Sequence, residues 1–135
     1  MMSDIHKAGG VILRDRHFLV TRSFGKDVFV APGGKLEDDE TPEQALQREM
    51  LEEISVDIDT DTLEHLGAFH ADAAGQPGVK LRMDVYIIQD FIGDPVPSSE
   101  IEEIKWINTR TTGVKIGSIF EHAVLPLLKR RNLID

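Results

Sequence analysis

The sequence predicts a mixed α/β fold in which helices sandwich a mixed β-sheet. Three observations lead there. The segments run strands, one helix, strands, one helix, which is not the regular alternation of a parallel βαβ protein. The chain has 135 residues and shows no internal repeat, low-complexity tract or linker, so residues 1–135 are expected to form one domain. Its hydrophobic share of 41% is ordinary for a globular chain and sufficient for a real core.

The first strands precede the helix. Residues 8–13 (AGGVIL) read as a buried strand with an irregularity that Gly9 and Gly10 permit. Asp15 and Arg16 look like a hairpin turn, with 17–22 (HFLVTR) as the return strand. Residues 23–27 are a loop, and 28–31 (VFVA) a short strand that Pro32 stops. Gly33 and Gly34 then suit a turn with backbone angles closed to other residues. The helix has a clear start. Thr41 is a good N-cap, Pro42 takes the first helical position, and Gln44 completes a capping box. The helix is predicted over 42–54. The polar stretch 55–62 ends it.

A second β region follows. Residues 63–70 read as a strand, 71–78 as a loop, and 79–90 as the strongest strand, alternating and rich in β-branched residues. Gly93, Pro95 and Pro97 mark 91–99 as a connection. Residues 104–107 (IKWI) are a last short strand with Trp106 in the core. Residues 119–131 are a C-terminal helix that Pro126 kinks or whose start it shifts.

Composition excludes several function classes. The net charge is −9 and no basic stripe is present, which argues against a nucleic-acid partner. Lys129, Arg130 and Arg131 form the only basic cluster, at a helix end where carbonyls and solvent suit them. With no cysteine, disulfides, thiolate metal sites and a cysteine nucleophile are excluded. The N-terminus lacks a signal-peptide core, and no apolar run approaches the ~20 residues that span a bilayer. The expectation is a cytoplasmic protein with no membrane partner.

Charge concentrates on the helix. Successive helical residues are rotated by about 100°, so Glu49, Glu52 and Glu53 fall within an arc of about 100°. Leu46, Met50, Leu51 and Ile54 occupy the adjoining, buried face, and Arg48 can pair with Glu52 one turn on. Three like charges this close repel, and near a helix C-terminus they also oppose its dipole. A divalent cation removes both costs, and oxygen-only ligands favour Mg²⁺, with Mn²⁺ as a substitute.

Gly34, Glu40, Arg48, Glu49, Met50, Glu52, Glu53 and Val56 resemble the Nudix box, GX5EX7REUXEEXGU, with matching spacing. The departures are Ser55 in place of glycine and Met50 at an aliphatic position. The resemblance implies a Nudix α/β/α sandwich with a mixed β-sheet and a catalytic loop-helix-loop. It implies Mg²⁺-dependent hydrolysis of a nucleoside diphosphate linked to another moiety. Glu49, Glu52 and Glu53 fall on the metal-binding carboxylates, Gly33 where a backbone carbonyl ligates metal, and Arg48 on the residue that orients the glutamates. Glu40 falls on a position tied structurally to the helix and in some members to metal. The general base is either Glu49 or an acid from a later loop. Glu100, Glu102 and Glu103 precede the IKWI strand, with Glu100 the best placed.

Around the box, Arg22 and Lys35 are candidates for phosphate contact. Phe29 is a candidate for stacking on a base, with the core as its other place. One face of Arg82, Met83 and Asp84 lines the base pocket, and alternation puts Met83 opposite its neighbours. The five histidines show no metal-ligand spacing, and His70 alone falls near the site. The substrate expected is a small nucleotide, foremost a (deoxy)nucleoside triphosphate. A dinucleoside polyphosphate or a nucleotide sugar is the alternative within the enzyme class. A catalytically silent module that binds a nucleotide is the alternative outside it. The proline that ADP-ribose enzymes carry soon after the box is absent, since Pro77 lies too far along. Homodimers are common among Nudix proteins, which makes the exposed parts of the first hairpin or the C-terminal helix a candidate homodimer interface.

Overall fold

Apolar side chains on both faces of the central strands fix the layers. In the computed structural model, which describes residues 4–73 and 76–135, β1 (Ile5–Val11), β3 (His17–Ser23) and β7 (Lys80–Ile87) each supply two cores. Phe18 and Val20 of β3 enter one core while Leu19 between them enters the other. Val85 and Ile87 of β7 likewise oppose Tyr86. This is the period-2 alternation of a strand buried on both faces. The first core is closed by the C-terminal helical segment through Phe120, Val124, Leu125 and Leu128. The second is closed by α1 (Pro42–Ile54) through Ala45, Leu46, Met50 and Ile54. Helices thus cover both sides of the strands, as an α/β/α sandwich requires.

The main sheet is mixed. β4 (Gly33–Lys35) pairs antiparallel with β1, β1 runs parallel to β7, and β6 (Glu64–Asp72) pairs antiparallel with β7. A second, antiparallel sheet joins β2 (Leu13–Arg14), β3 and β9 (Ile101–Ile107). β5 (Asp57–Ile58) pairs with β8 (Phe91–Ile92). The final helix is α2 (Leu125–Arg130). No helix among the described residues is long and apolar enough to cross a membrane.

Several local expectations change. The first strand begins at Ile5, and the hairpin turn is as expected, with φ of 52° at Asp15 and 62° at Arg16. Residues 28–31 are not a strand. Phe29 and Val30 make only isolated bridges, to Ile116 and Thr21, before Pro32 ends the pairing for want of an N–H. Gly33 and Gly34 form strand β4 rather than a turn. β4 lies so close to β1 that a Cβ on Gly33 would stand 2.0 Å from the Ala8 carbonyl oxygen. Within the polar 55–62 stretch, Asp57 and Ile58 pair with the supposed connection at Phe91 and Ile92. The expected 71–78 loop gives Ala71 and Asp72 to β6, while residues 74 and 75 lie outside the described residues. β9 starts at Ile101, so Glu102 and Glu103 sit on a strand, where both pair with Arg22 of β3. Trp106 is half-buried under Arg14. Pro126 does not shift the helix start: residues 118–130 are helical throughout, and the irregularity lies in the turn before the proline. Phe120–Val124 is π-helical, the Leu125 N–H reaches back to Phe120 O, and the α-helix proper follows with Pro126 in its first turn.

Candidate active site

Local sequence sets the glutamate-bearing helix. Thr41 Oγ1 accepts from the Gln44 N–H at 3.1 Å, and Gln44 Oε1 accepts from the Thr41 N–H at 2.9 Å. The far end turns on Ser55, at φ 61° and ψ 31°. That left-handed conformation is one glycine adopts without cost, which accounts for the glycine in the box pattern. Ser55 keeps the geometry: its N–H still donates to Leu51 O at 3.2 Å.

The buried face of α1 is rotated from the expected one. Ala45, Leu46, Met50, Glu53 and Ile54 are buried, whereas Leu51 is 55% exposed. The cause is β1 and β4, which pack against the carboxylate side. Glu49 and Glu53 are thereby pressed against the sheet instead of facing solvent. Gly34 makes room for this, since a Cβ there would sit 2.7 Å from Glu49 Cδ.

Arg48 holds the acids in place, through partners other than the one expected. Its Nε and Nη2 donate to the two oxygens of Glu40 at 2.9 Å each, a bidentate pair. Nη1 donates to Glu49 Oε1 at 2.7 Å, and Nη2 also to the Lys35 carbonyl at 3.0 Å. Glu52 is only a distant partner at 3.9 Å. The Arg48 guanidinium and then the Glu37 N–H hold the Glu40 carboxyl down to about 2. Glu40 is therefore tied to the helix through Arg48.

Three carboxylates converge. Glu49 and Glu53 from α1 and Glu100 from the turn before β9 bring one oxygen each within 4.8 Å of one another. Burial first, then the charges of Glu49 and Glu100, push Glu53 up to about 8, against a 2.8 Å hydrogen bond from the Gly33 N–H. Burial also raises Glu49, with Arg48 opposing. Glu100 is held below its usual range, first by Ser99 and its own backbone N–H. The closeness of Glu53 and Glu100 acts on the two in opposite directions, raising Glu53 and lowering Glu100. An oxygen-only donor set whose charges repel one another fits a hard divalent cation. Glu52 is not brought into this group. Its side chain is 53% exposed. Gly33 is brought in, but the contact it makes is through its N–H.

The substrate candidates are placed less as expected. Arg22 is engaged by Glu102 at 2.5 Å and Glu103 at 3.2 Å, and donates to the Lys26 carbonyl at 3.0 Å. Those pairs absorb the charge offered to phosphate. Phe29 is buried in the first core, with the Arg22 guanidinium and the Lys105 ammonium each 5.8 Å from its ring centre. Lys35 is exposed on β4. His6 and His65 both bond the buried Asp84, at 2.5 and 2.8 Å, and His70 is exposed. Arg82 joins that Asp84 cluster, so the Met83 face is the one left to line a cavity. That cavity, about 350 Å³, is walled by Val28, Val30, Leu81, Met83 and Phe120. Sequence reasoning missed Val30 and Phe120. Val30 lies in the apolar run 28–31 and Phe120 follows Ile119, so neither carries a local signal that separates cavity wall from core.

A family model described as the NUDIX domain matches residues 4–119. The chain is 48% identical over 65 residues to an 8-oxo-dGTP diphosphatase of Proteus vulgaris, covering 44% of this chain and 57% of that protein. It is 35% identical over 82 residues to an oxidized purine nucleoside triphosphate hydrolase of Danio rerio, covering 59% of this chain and 49% of that one. The chain thus spans about half the length of these two relatives. A MutT NUDIX hydrolase from Burkholderia pseudomallei has the same fold, with a TM-score of 0.74 at 23% identity over 93% of this chain and 95% of that one. With its arginine-ordered glutamate helix, its mixed sheet and a family match over most of its length, the chain belongs to the Nudix family of hydrolases.

Proposed function

We propose that this single domain is a Mg²⁺-dependent pyrophosphohydrolase of nucleoside triphosphates, with oxidised purine nucleotides as its preferred class, acting in the cytoplasm. One observation carries the reading: a small cavity bordered by Gly33 and Gly34, which touch Glu53 and Glu49 of the acid cluster, shares Lys7, Val30, Met83 and Phe120 with an apolar cavity of about 350 Å³, a place for phosphates connected to a place for a base. The names of the two relatives above support the oxidised purine. Glu49 and Glu53 would hold the cation with the Gly33 carbonyl, and Mn²⁺ would serve as a substitute. Mg²⁺ bound there supplies charge neutralisation to phosphate oxygens and acidifies water. Arg48 fixes Glu49 through Glu40 and the Lys35 carbonyl, so the carboxylates are ordered before substrate arrives. Glu100 comes from a separate turn and brings a carboxylate oxygen to Glu49 and Glu53, which places it to take the proton of the attacking water. The water oxygen bonds to phosphorus, the bridging P–O bond breaks, and a nucleoside monophosphate and pyrophosphate leave.

The test is a panel of oxidised and unmodified purine and pyrimidine triphosphates with Mg²⁺, read as kcat/KM. Highest kcat/KM on 8-oxo-dGTP is expected. A preference for unmodified pyrimidine triphosphates would overturn the substrate class, and no turnover of any triphosphate would overturn the activity.

A further inference from the structure

Two cavities meet at one lysine. The larger is the apolar cavity described above; the smaller, about 90 Å³, is bounded by Gly33, Gly34, Ala31 and Met83 beside the acid cluster. Lys7 of β1 lines both. Its register partner on β7 is Met83, which also lines both, so the two side chains share one face of the sheet. Across the other edge of β1, Lys7 stands opposite Lys35. Like charges directly opposed on antiparallel strands repel. Lys7 forms no ion pair among the described residues, and burial and Lys35 both act against its charge while Glu53 and Glu49 favour it. A half-buried ammonium with a cationic neighbour and no bound carboxylate is a place for an anion.

We propose that the Lys7 ammonium binds the phosphate nearest the nucleoside, between the acid cluster and the apolar cavity. This rests on the nucleotide reading above. A base in the larger cavity and phosphates at the acids require the chain between them to pass Lys7. The phosphate satisfies the ammonium and screens it from Lys35. Arg22, bound by Glu102 and Glu103, is not free for this role. Lys7 acts on binding and makes no ion pair with the acids among the described residues.

The experiment compares wild type, Lys7→Met and Lys7→Arg on 8-oxo-dGTP, with inhibition by 8-oxo-dGMP and by pyrophosphate measured separately. Methionine keeps the apolar stem, and Lys7→Arg keeps the charge. A charge-assisted hydrogen bond lost from a partly desolvated site corresponds to about a tenfold effect or more. Lys7→Met is expected to raise KM and the 8-oxo-dGMP inhibition constant about tenfold, with kcat within about threefold and pyrophosphate inhibition unchanged. Lys7→Arg is expected to recover most of the affinity. Unchanged KM in Lys7→Met, or equal weakening of 8-oxo-dGMP and pyrophosphate, overturns the assignment while an active wild type leaves the enzyme reading standing. A wild type that hydrolyses no triphosphate overturns both. Thermal unfolding separates a folding defect from the predicted effect: a large fall in Tm with kcat and KM lost together also counts against Lys7 as a phosphate ligand.

Discussion

Removing the charge of Glu53 should stabilise the metal-free protein at alkaline pH. Burial and its acidic neighbours push the Glu53 carboxyl from 4.5 up to about 8, and the residue is only 6% exposed. The folded chain therefore keeps a proton that the unfolded chain releases near pH 4.5. Below that pH both states are protonated and Glu53 costs nothing. Through pH 4.5 to 8 stability falls by about 1.4 kcal/mol per pH unit, and above pH 8 the accumulated cost is on the order of 5 kcal/mol. That is a large part of the 5–15 kcal/mol typical of a domain. Glu53→Gln abolishes the slope while its amide oxygen still accepts from the Gly33 N–H. Urea unfolding in EDTA, followed by circular dichroism from pH 4.5 to 8.5, measures it. The variant should match wild type near pH 4.5 and exceed it by several kcal/mol at pH 8.5. Mg²⁺ should restore wild type and leave the variant unmoved. Parallel pH profiles for the two proteins in EDTA would refute the reasoning.

Two further substitutions test the helix and its seat. Ser55→Gly relieves a φ of 61°, worth about 1–2 kcal/mol, and loses some of it to unfolded-chain entropy, for a net gain of about 0.5–1 kcal/mol by urea unfolding. Gly34→Ala forces a Cβ to within 2.7 Å of Glu49 Cδ. The movable carboxylate yields, so activity should fall about 10–100-fold with little change in Tm. An equal loss of Tm and activity would place the clash elsewhere.

What was legible in the sequence was what local chemistry decides. Thr41, Pro42 and Gln44 mark the helix start to the residue, and Ser55 its end, because caps are satisfied within a turn. The mixed sheet between helices follows from element order, and the lack of parallel alternation. Glu49 and Glu53 are readable from spacing. Which of three close acids meets the sheet is not, since Leu51 turned outward and Glu53 inward only when β1 and β4 packed on the carboxylate side. Glu100 joins across 47 residues from Glu53, a contact that depends on where β9 begins. Phe29 and Arg22 look like ligands in one dimension. One is claimed by the core and the other by two strand glutamates that the sequence reads as loop. Lys7 carries no motif at all, and its interest comes only from the two cavities it joins.

Product identification during a Mg²⁺ titration tests the central claim most directly, with wild type and Glu53→Gln run side by side on 8-oxo-dGTP. Wild type should release 8-oxo-dGMP and pyrophosphate in proportion to metal bound, and Glu53→Gln should be slower by about 100-fold or more. Turnover that persists in EDTA, release of orthophosphate with a nucleoside diphosphate, or a Glu53→Gln rate equal to wild type would contradict it.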